Sequence, residues 1–464
     1  MLKMTFLSAL SIIYLLGVAN ARFTVVRRRD PAPGVQMQAK LLPPAEFSVP
    51  FTGKTPRRKA KNDAFAAVRR WSPATCTDTA IVDAANFNFK NDYLTDVTIG
   101  GQNFSLLIDT GSSDTYVVQK GFNCSDAQGD PLPQASCQFG TAGFDTEASK
   151  TFKPFPNVIY HNIFGDGNTL TGPVGFDTVT IGGLAVTQEI AVPTLAVHTG
   201  DNISSGILGL AFPRLTNVFN TTDIANISDA NRLVYDPFFL SAVKEKRVKN
   251  PFFSVALDRG TFEQEASNTF IPNSGFLSFG GIAPVPVLDT CVTVPIQGYD
   301  ANSAPSNSPN AEFRFYTVDI DSYAFPGSTG LITANNNTIL DTGTAFNIVP
   351  QDVAAAYAAA FNPPGVLTLV PNSTLSGFAV DCNAEAPEFL VTIGGKTFSI
   401  DPRDQIVPFG NNGTIICATG TQGPSILTNA PNSLFILGDV FLHNVVATFN
   451  PIAGEITLTQ RAKY

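Results

Sequence analysis

The sequence predicts an all-β chain in two lobes, with a few short helices, and three observations carry that expectation. At 464 residues the chain is longer than one hydrophobic core usually fills. Beyond Trp71 its apolar residues fall in short or alternating runs broken by Gly, Pro and Asn, the pattern of strands and turns. A short turn centred on an Asp also occurs twice, far apart, in matching apolar surroundings. The composition, 44% hydrophobic and 14% charged, suits a compact strand-rich protein and argues against a disordered one.

Residues 1–21 read as a signal peptide, with Lys3 at its start, a mostly apolar Phe6 to Val18, and the small-x-small site Ala19-Asn20-Ala21. A membrane anchor is the competing reading, but the apolar stretch is too short to span a bilayer, and no later segment is longer. The polar end, Leu458 to Tyr464, argues against a lipid-anchor tail. A secreted, extracellular protein without membrane contact is expected. Eight Asn-x-Ser/Thr sequons fit that route: Asn103, Asn123, Asn202, Asn220, Asn226, Asn336, Asn372 and Asn412. Six cysteines with no C-x-x-C spacing point to disulfides rather than a metal, and no metal or other cofactor is expected.

Charge divides the chain. Residues 22–70 hold 12 Lys/Arg and 3 Asp/Glu, whereas Trp71 onward holds 16 and 35, a net charge near −19. A basic segment ahead of an acidic body reads as a propeptide held by charge complementarity, with Arg69-Arg70 as a dibasic processing site. A nucleic-acid-binding tail has the same composition, but its place directly after a signal peptide disfavours that reading. The expected division is signal peptide 1–21, propeptide 22–70, N-terminal lobe 71–295 and C-terminal lobe 296–464.

Within the body, Leu94 to Ile99, Ser105 to Ile108, Thr178 to Ile181, Leu390 to Ile393 and Val445 to Phe449 read as strands. Gly100-Gly101, Gly182-Gly183 and Gly394-Gly395 read as hairpin turns. Helix is expected within Ala225 to Lys249, centred on Asp236 to Lys246, and over Gln351 to Phe361 after Pro350. Asp300 to Asn310, rich in Asn, Ser and Pro, reads as a loop or lobe connection.

The repeated turn is Leu107-Ile108-Asp109-Thr110-Gly111-Ser112 and, downstream, Ile339-Leu340-Asp341-Thr342-Gly343-Thr344. In each, an apolar run delivers an Asp at a strand end, and Thr and Gly then turn the chain. One D-T-G is an ordinary turn; two copies with matching apolar approaches are far more specific. Each copy is followed by an apolar run closed by Gly: Gly206-Ile207-Leu208-Gly209-Leu210-Ala211-Phe212, and Phe435-Ile436-Leu437-Gly438-Asp439-Val440-Phe441. Either run alone reads as a buried strand with a close backbone contact.

On these four segments the sequence resembles the pepsin family of aspartic proteases, in a fungal-type secreted form, over nearly everything after Trp71. The resemblance implies two β-rich lobes, each giving one Asp, Asp109 and Asp341, to a cleft between them. It implies a β-hairpin flap over Asn157 to Val174, with Phe164-Gly165-Asp166-Gly167 at its tip. Two carboxyls within hydrogen-bond reach cannot both ionise cheaply, so they share a proton. One takes a proton from a bridging water that attacks the peptide carbonyl, and the other polarises that carbonyl. Thr110 and Thr342 resemble the pair that bonds across the lobes, and Ser112 and Thr344 resemble donors to the two carboxyls. Leu107, Tyr116, Phe164, Ile207 and Ile339 match an apolar substrate cleft, although a core role alone also accounts for Leu107 and Ile339. Gly111, Gly165, Asp166, Gly343 and Thr344 match positions along the extended substrate backbone.

The resemblance also implies disulfides Cys124–Cys137 and Cys382–Cys417, one after each D-T-G, which leaves Cys76 with Cys291. Expected partners are polypeptide substrates and pepstatin-like inhibitors, and the chain is expected to be a monomer that binds no nucleic acid. Three positions depart from the family: Phe164 replaces its flap tyrosine, Tyr116 its tryptophan, and Ala345 a common serine. A pepsin-like binding protein without activity is the main rival, and retention of both aspartates disfavours it. Serine and zinc hydrolases are disfavoured by three histidines, His161, His198 and His443, with no H-E-x-x-H or G-x-S-x-G.

Overall fold

The computed structural model describes residues 40–41, 47–51, 84–87 and 90–464, apart from 141–142, 165–166, 198–199, 267–273, 301–304, 307–310, 329–334, 370–375, 412–413 and 427–433. The signal peptide, Arg69-Arg70 and Cys76 lie outside the described residues. The body is built almost entirely of strands, as expected.

Two sheets belong to the first half of the body. An eight-stranded sheet includes Lys90–Ile99, Gln102–Asp109, Gly206–Gly209, Tyr116–Val117, Leu184–Ala191 and Val174–Ile181. A seven-stranded sheet runs from Arg232–Leu233 through Val218–Phe219, Ile159–Ile163 and Thr169–Gly172 to Pro131–Leu132. Downstream of residue 316 lie a five-stranded sheet with Asn335–Leu340 and Phe435–Leu437, a three-stranded sheet and a four-stranded sheet. A further seven-stranded sheet joins the halves: Phe253–Leu257, Gly275–Phe279 and Pro286–Pro295 pair in one ladder with Val445–Asn450 and Glu455–Arg461. Lys40–Leu41 and Phe47–Phe51 occupy its two edges, against Pro286–Val287 and Gly275–Phe279.

The sequence pattern explains these elements locally. Val174–Ile181 alternates buried and exposed side chains because one face packs on the core. Each two-glycine turn closes a hairpin, Ile99 opposite Gln102, Ile181 opposite Leu184 and Ile393 opposite Lys396. Both glycines of each turn have positive φ, which the twist of the flanking strands requires. The helix Gln351–Ala359 starts after Pro350 and buries Val353, Ala354, Tyr357 and Ala358, one face at helical spacing. The expected helix within Ala225 to Lys249 is shorter, Phe238–Lys244. Upstream of it, Asp223 accepts from the Ala225 amide, and the Ser228 amide donates to the Asn231 side chain. These side chains satisfy backbone groups locally, so two 3-10 turns form there instead of α-helix. Inside Asp300 to Asn310, Pro305–Ser306 pairs as a short strand with Gly298–Tyr299.

Cys124–Cys137 and Cys382–Cys417 are bonded, across sequence separations of 13 and 35 residues. On loop entropy each contributes about 3–4 kcal/mol. The third expected pair, Cys76–Cys291, has one member, Cys76, outside the described residues; among those, Cys291 carries an exposed thiol that accepts from the Thr459 hydroxyl at 3.4 Å. On the described strands the ladder partner of Cys291 is Thr459.

A buried polar network ties distant segments together. Arg259 meets both oxygens of Asp404, at 2.7 and 2.9 Å. The Asn444 amide donates to Asp404 at 2.7 Å, and His443 Nδ1 lies 3.1 Å from the same carboxylate. The other ring nitrogen of His443 lies 2.6 Å from the Tyr93 hydroxyl, on Lys90–Ile99. Burial alone would raise Asp404, but His443 and Arg259 outweigh it and hold the carboxyl well below its ordinary range.

Candidate active site

Each D-T-G follows a strand that pairs in parallel with the downstream apolar-glycine run. Leu106 to Asp109 lies beside Gly206 to Gly209, and Thr338 to Leu340 beside Phe435 to Leu437. Each run also takes an antiparallel strand on its other side, Tyr116–Val117 in the first half and Ile348 in the second. The four segments thus form two copies of one arrangement. The glycines ending the runs are required by crowding: a Cβ on Gly209 would sit 2.4 Å from the Ser113 carbonyl carbon, and one on Gly438 2.1 Å from the Thr344 carbonyl oxygen.

The two turns meet tip to tip. The Thr110 hydroxyl donates to the Leu340 carbonyl at 2.8 Å and accepts from the Thr342 amide at 3.1 Å. The Thr342 hydroxyl reciprocates, donating to the Ile108 carbonyl at 2.8 Å and accepting from the Thr110 amide at 3.1 Å. These four bonds join segments more than two hundred residues apart and fix the spacing of the two aspartates. A Cβ on Gly111 would lie 2.6 Å from Asp341 Oδ1, and one on Gly343 2.7 Å from Asp109 Oδ1. Each glycine therefore makes room for the opposite carboxyl.

The carboxyls have matching donors. Asp109 accepts from the Gly111 amide at 2.7 Å and the Ser112 hydroxyl at 2.6 Å. Asp341 accepts from the Gly343 amide at 2.8 Å and the Thr344 hydroxyl at 2.7 Å. Both aspartates are buried, at 8% and 7% exposure. Burial first, and then the charge of Asp341, push Asp109 up to about 7, against the lowering bonds from Ser112 and Gly111. Asp109 so placed keeps its proton well above the ordinary carboxylate range.

The apolar positions fall in two groups. Tyr116 and Ile207 belong to one buried cluster, on which Leu107 and Phe164 pack. Ile339 lies in a separate cluster with Ile348 and Ile436, flanked by Phe315 and Phe346. The expected hairpin is present as Ile159–Ile163 against Thr169–Gly172. Its Phe164 ring packs 6.2 Å from the Tyr116 ring, tilted by 51°. Gly165 and Asp166 lie outside the described residues. Among the described residues no cluster of His, Cys, Asp or Glu could hold a metal ion.

Known proteins share this organisation. A sequence model of the eukaryotic aspartyl protease family matches residues 92–461. The chain belongs to that family. An Aspergillus fumigatus protein named as a probable aspartic-type endopeptidase is 33% identical over 383 residues, covering 80% of this chain and 79% of its own. Rhizopuspepsin-4 of Rhizopus niveus is 26% identical over 377 residues, covering 79% and 77%. In fold, the crystal structure of an aspartic proteinase from Irpex lacteus matches 82% of this chain and 97% of its own, with a TM-score of 0.59 at 19% identity. This aspartyl protease is a peptide hydrolase of pepsin-like, two-lobed all-β fold.

The sequence reading did not single out Asp114, Asn217 and Tyr235, whose hydrogen bonds join the segment after the first D-T-G to the hairpin. Each is one polar residue without a motif around it, and nothing in their spacing predicts that they meet.

Proposed function

We propose that this aspartyl protease is a secreted endopeptidase in which Asp109 and Asp341 activate a water against peptide bonds in acid, with preference for hydrophobic residues at the scissile bond. The observation that carries this is the reciprocal lock of Thr110 and Thr342, which puts two buried carboxyls beside each other with matched donors. With one proton between them, the ionised carboxylate removes a proton from the water as its oxygen bonds to the substrate carbonyl carbon. The protonated carboxyl hydrogen-bonds the carbonyl oxygen as it gains charge. A proton then passes to the amide nitrogen as the C–N bond breaks, and the dyad returns to its singly protonated state. Ser112 and Thr344 hold the carboxyls in orientation. Leu107, Tyr116, Phe164, Ile207 and Ile339 form apolar walls, and Gly111, Gly165, Asp166, Gly343 and Thr344 line the substrate backbone.

Residues 1–21 act as signal peptide and 22–70 as propeptide, with catalytic lobes at 71–295 and 296–464. The substrates are polypeptides, pepstatin-like inhibitors bind the same cleft, and the enzyme is a monomer. Asn103, Asn123, Asn202, Asn220 and Asn226 are exposed, as glycan acceptors must be. Among the described residues no helix is long and apolar enough to cross a membrane. Sequencing peptides released from a mixed proteome in acid tests the substrate reading. Cleavage sites flanked by large apolar residues are expected, and sites defined by a charged residue would contradict it.

Stability should follow the same pH range as activity. Burial pushes Asp114 up to about 6 and Glu189 up to about 7, Glu189 also through the charge of Asp114. With Asp109 near 7, these groups bind more protons folded than unfolded between about pH 4 and 7. The stability they carry is therefore complete below about pH 4 and lost as pH rises toward 7. Asp404, held low, keeps its contribution throughout that window. A melting temperature that falls steadily from acid to neutral pH is expected; an unchanged one would contradict the assignment.

Phe164 gives the flap ring packing but no hydroxyl. Phe164→Tyr should fold and be at least as active, because its new hydroxyl can meet that of Tyr116. Phe164→Ala should be less active through lost apolar cover. One neutral hydrogen bond is worth about 0.5–1.5 kcal/mol, so the gain is limited to several-fold. Comparing kcat/KM on one peptide decides it, and a tyrosine variant tenfold worse would show a cleft built around Phe164.

A further inference from the structure

We propose that Asp114 is a positioning residue that fixes the flap hairpin relative to the dyad, acting through Asn217. The proposal rests on the aspartic-protease reading of the site and adds to it the part that sets the height of the flap.

Asp114 lies five residues after Asp109, on backbone that cannot shift freely. The neighbouring Ser113 hydroxyl donates to the Phe212 carbonyl at 2.6 Å, and Gly209 is packed hard against Ser113 and Asp114. The Asp114 side chain is buried, at 3% exposure. It accepts from the Asn217 amide at 3.0 Å, from Asn217 Nδ2 at 3.3 Å and from the Tyr235 hydroxyl at 2.6 Å. Asn217 is thus clamped by one carboxyl through both its main chain and its side chain. Arg232 Nη1 donates to Asn217 Oδ1 at 2.9 Å, which leaves the Nδ2 end to face the carboxyl and the hairpin.

From this clamp two bonds reach the first strand of the hairpin. The His161 amide donates to the Asn217 carbonyl at 3.0 Å, and Asn217 Nδ2 donates to Asn162 Oδ1 at 3.0 Å. The main-chain bond from His161 to Asn217 continues the ladder in which Ile159 and Tyr160 pair with Phe219 and Val218. It therefore lies one step nearer the tip than those pairs. Beyond it the tip turn is closed by its own main chain, Phe164 to Asn168 at 2.9 Å and Gly167 to Phe164 at 2.9 Å. The Phe164 side chain can add ring packing on Tyr116 and no polar bond. The Asp114–Asn217 clamp is thus a polar tie between the hairpin and the segment that carries Asp109, beside the ring packing of Tyr160 and Phe164 on Tyr116. Burial pushes Asp114 up to about 6, against the bonds from Tyr235 and Asn217. In acid it works as a neutral carboxyl, a state that asparagine copies in shape and hydrogen bonding.

The test combines hydrogen exchange over residues 159–172 with kcat/KM on one peptide, for the activated enzyme in acid. Asp114→Ala and Asn217→Ala should each speed exchange of the hairpin amides and lower kcat/KM, both by about tenfold. Asp114→Asn should stay within about threefold of wild type in both readouts, since it keeps an acceptor for Asn217. Adding Phe164→Tyr to Asn217→Ala should raise kcat/KM by a larger factor than it does in wild type, because the tip then gains a tether of its own. Hairpin exchange unchanged in both alanine variants would overturn the proposal. So would an asparagine variant as impaired as Asp114→Ala, or an equal effect of Phe164→Tyr in both backgrounds. Failure of the protease reading looks different: wild type would show no pepstatin-sensitive cleavage, while the exchange measurement still decides the role of Asp114.

Discussion

Asp109→Asn and Asp341→Asn are each expected to lower kcat/KM by about four orders of magnitude while the protein stays folded. An amide can neither take the proton of the water nor share the acid proton with its partner. The surroundings of each aspartate tolerate the change, because the amide keeps an oxygen for the Gly111 or Gly343 N–H and is nearly the same size. The substitution also removes one of two crowded carboxyls, so neither variant should melt below wild type at neutral pH. Since the residues act as a unit, the double variant should be no worse than either single one. Measurable turnover within about a hundredfold of wild type, in either variant, would remove that residue from the chemistry.

Asp404→Ala is expected to cost about 3–5 kcal/mol of stability, the largest effect away from the cleft. The aspartate is 6% exposed and receives Arg259, His443 and Asn444 together. Removing it leaves the buried Arg259 guanidinium with only the longer carboxylate contact to Asp401, 3.9 Å away, and burying a poorly paired charge costs more than the pair itself contributes. Replacing Arg259 and Asp404 together by apolar residues of similar size should therefore cost much less than Asp404→Ala alone. Urea unfolding of the three proteins checks this. A loss below about 1 kcal/mol in Asp404→Ala would show that the network adds little to the fold.

The parts legible in the sequence were those written in contiguous residues. Leu107 to Ser112 and Ile339 to Thr344 each contain the strand end, the carboxyl, the cross-lobe threonine and the hydroxyl donor, so one motif announced a whole half-site. The two-glycine turns were legible because positive φ at both positions selects that residue. Elements set by distant partners were not. Lys40–Leu41 and Phe47–Phe51 take their places from sheet edges more than 200 residues away, and their own pattern does not name those partners. The clamp of Asp114 on Asn217 spans 103 residues and the contact of Tyr93 with His443 spans 350, each between single polar residues that read as ordinary surface. Asp223 and Ser228 were legible as caps in principle, yet the region expected to hold helix, Ala225 to Lys249, overlaps the two 3-10 turns they begin. The pairing of Cys76 with Cys291 rested on elimination alone, which names no turn or ladder that would bring the two segments together.

The central claim is that two shared-proton carboxyls perform the hydrolysis, and cleavage of a denatured protein in acid by the activated enzyme tests it most directly. Wild type should cleave in acid, lose activity toward neutral pH, and be blocked by a stoichiometric amount of a pepstatin-like statine. Cleavage that persists with the statine bound, or that is retained in Asp109→Asn, would contradict the account.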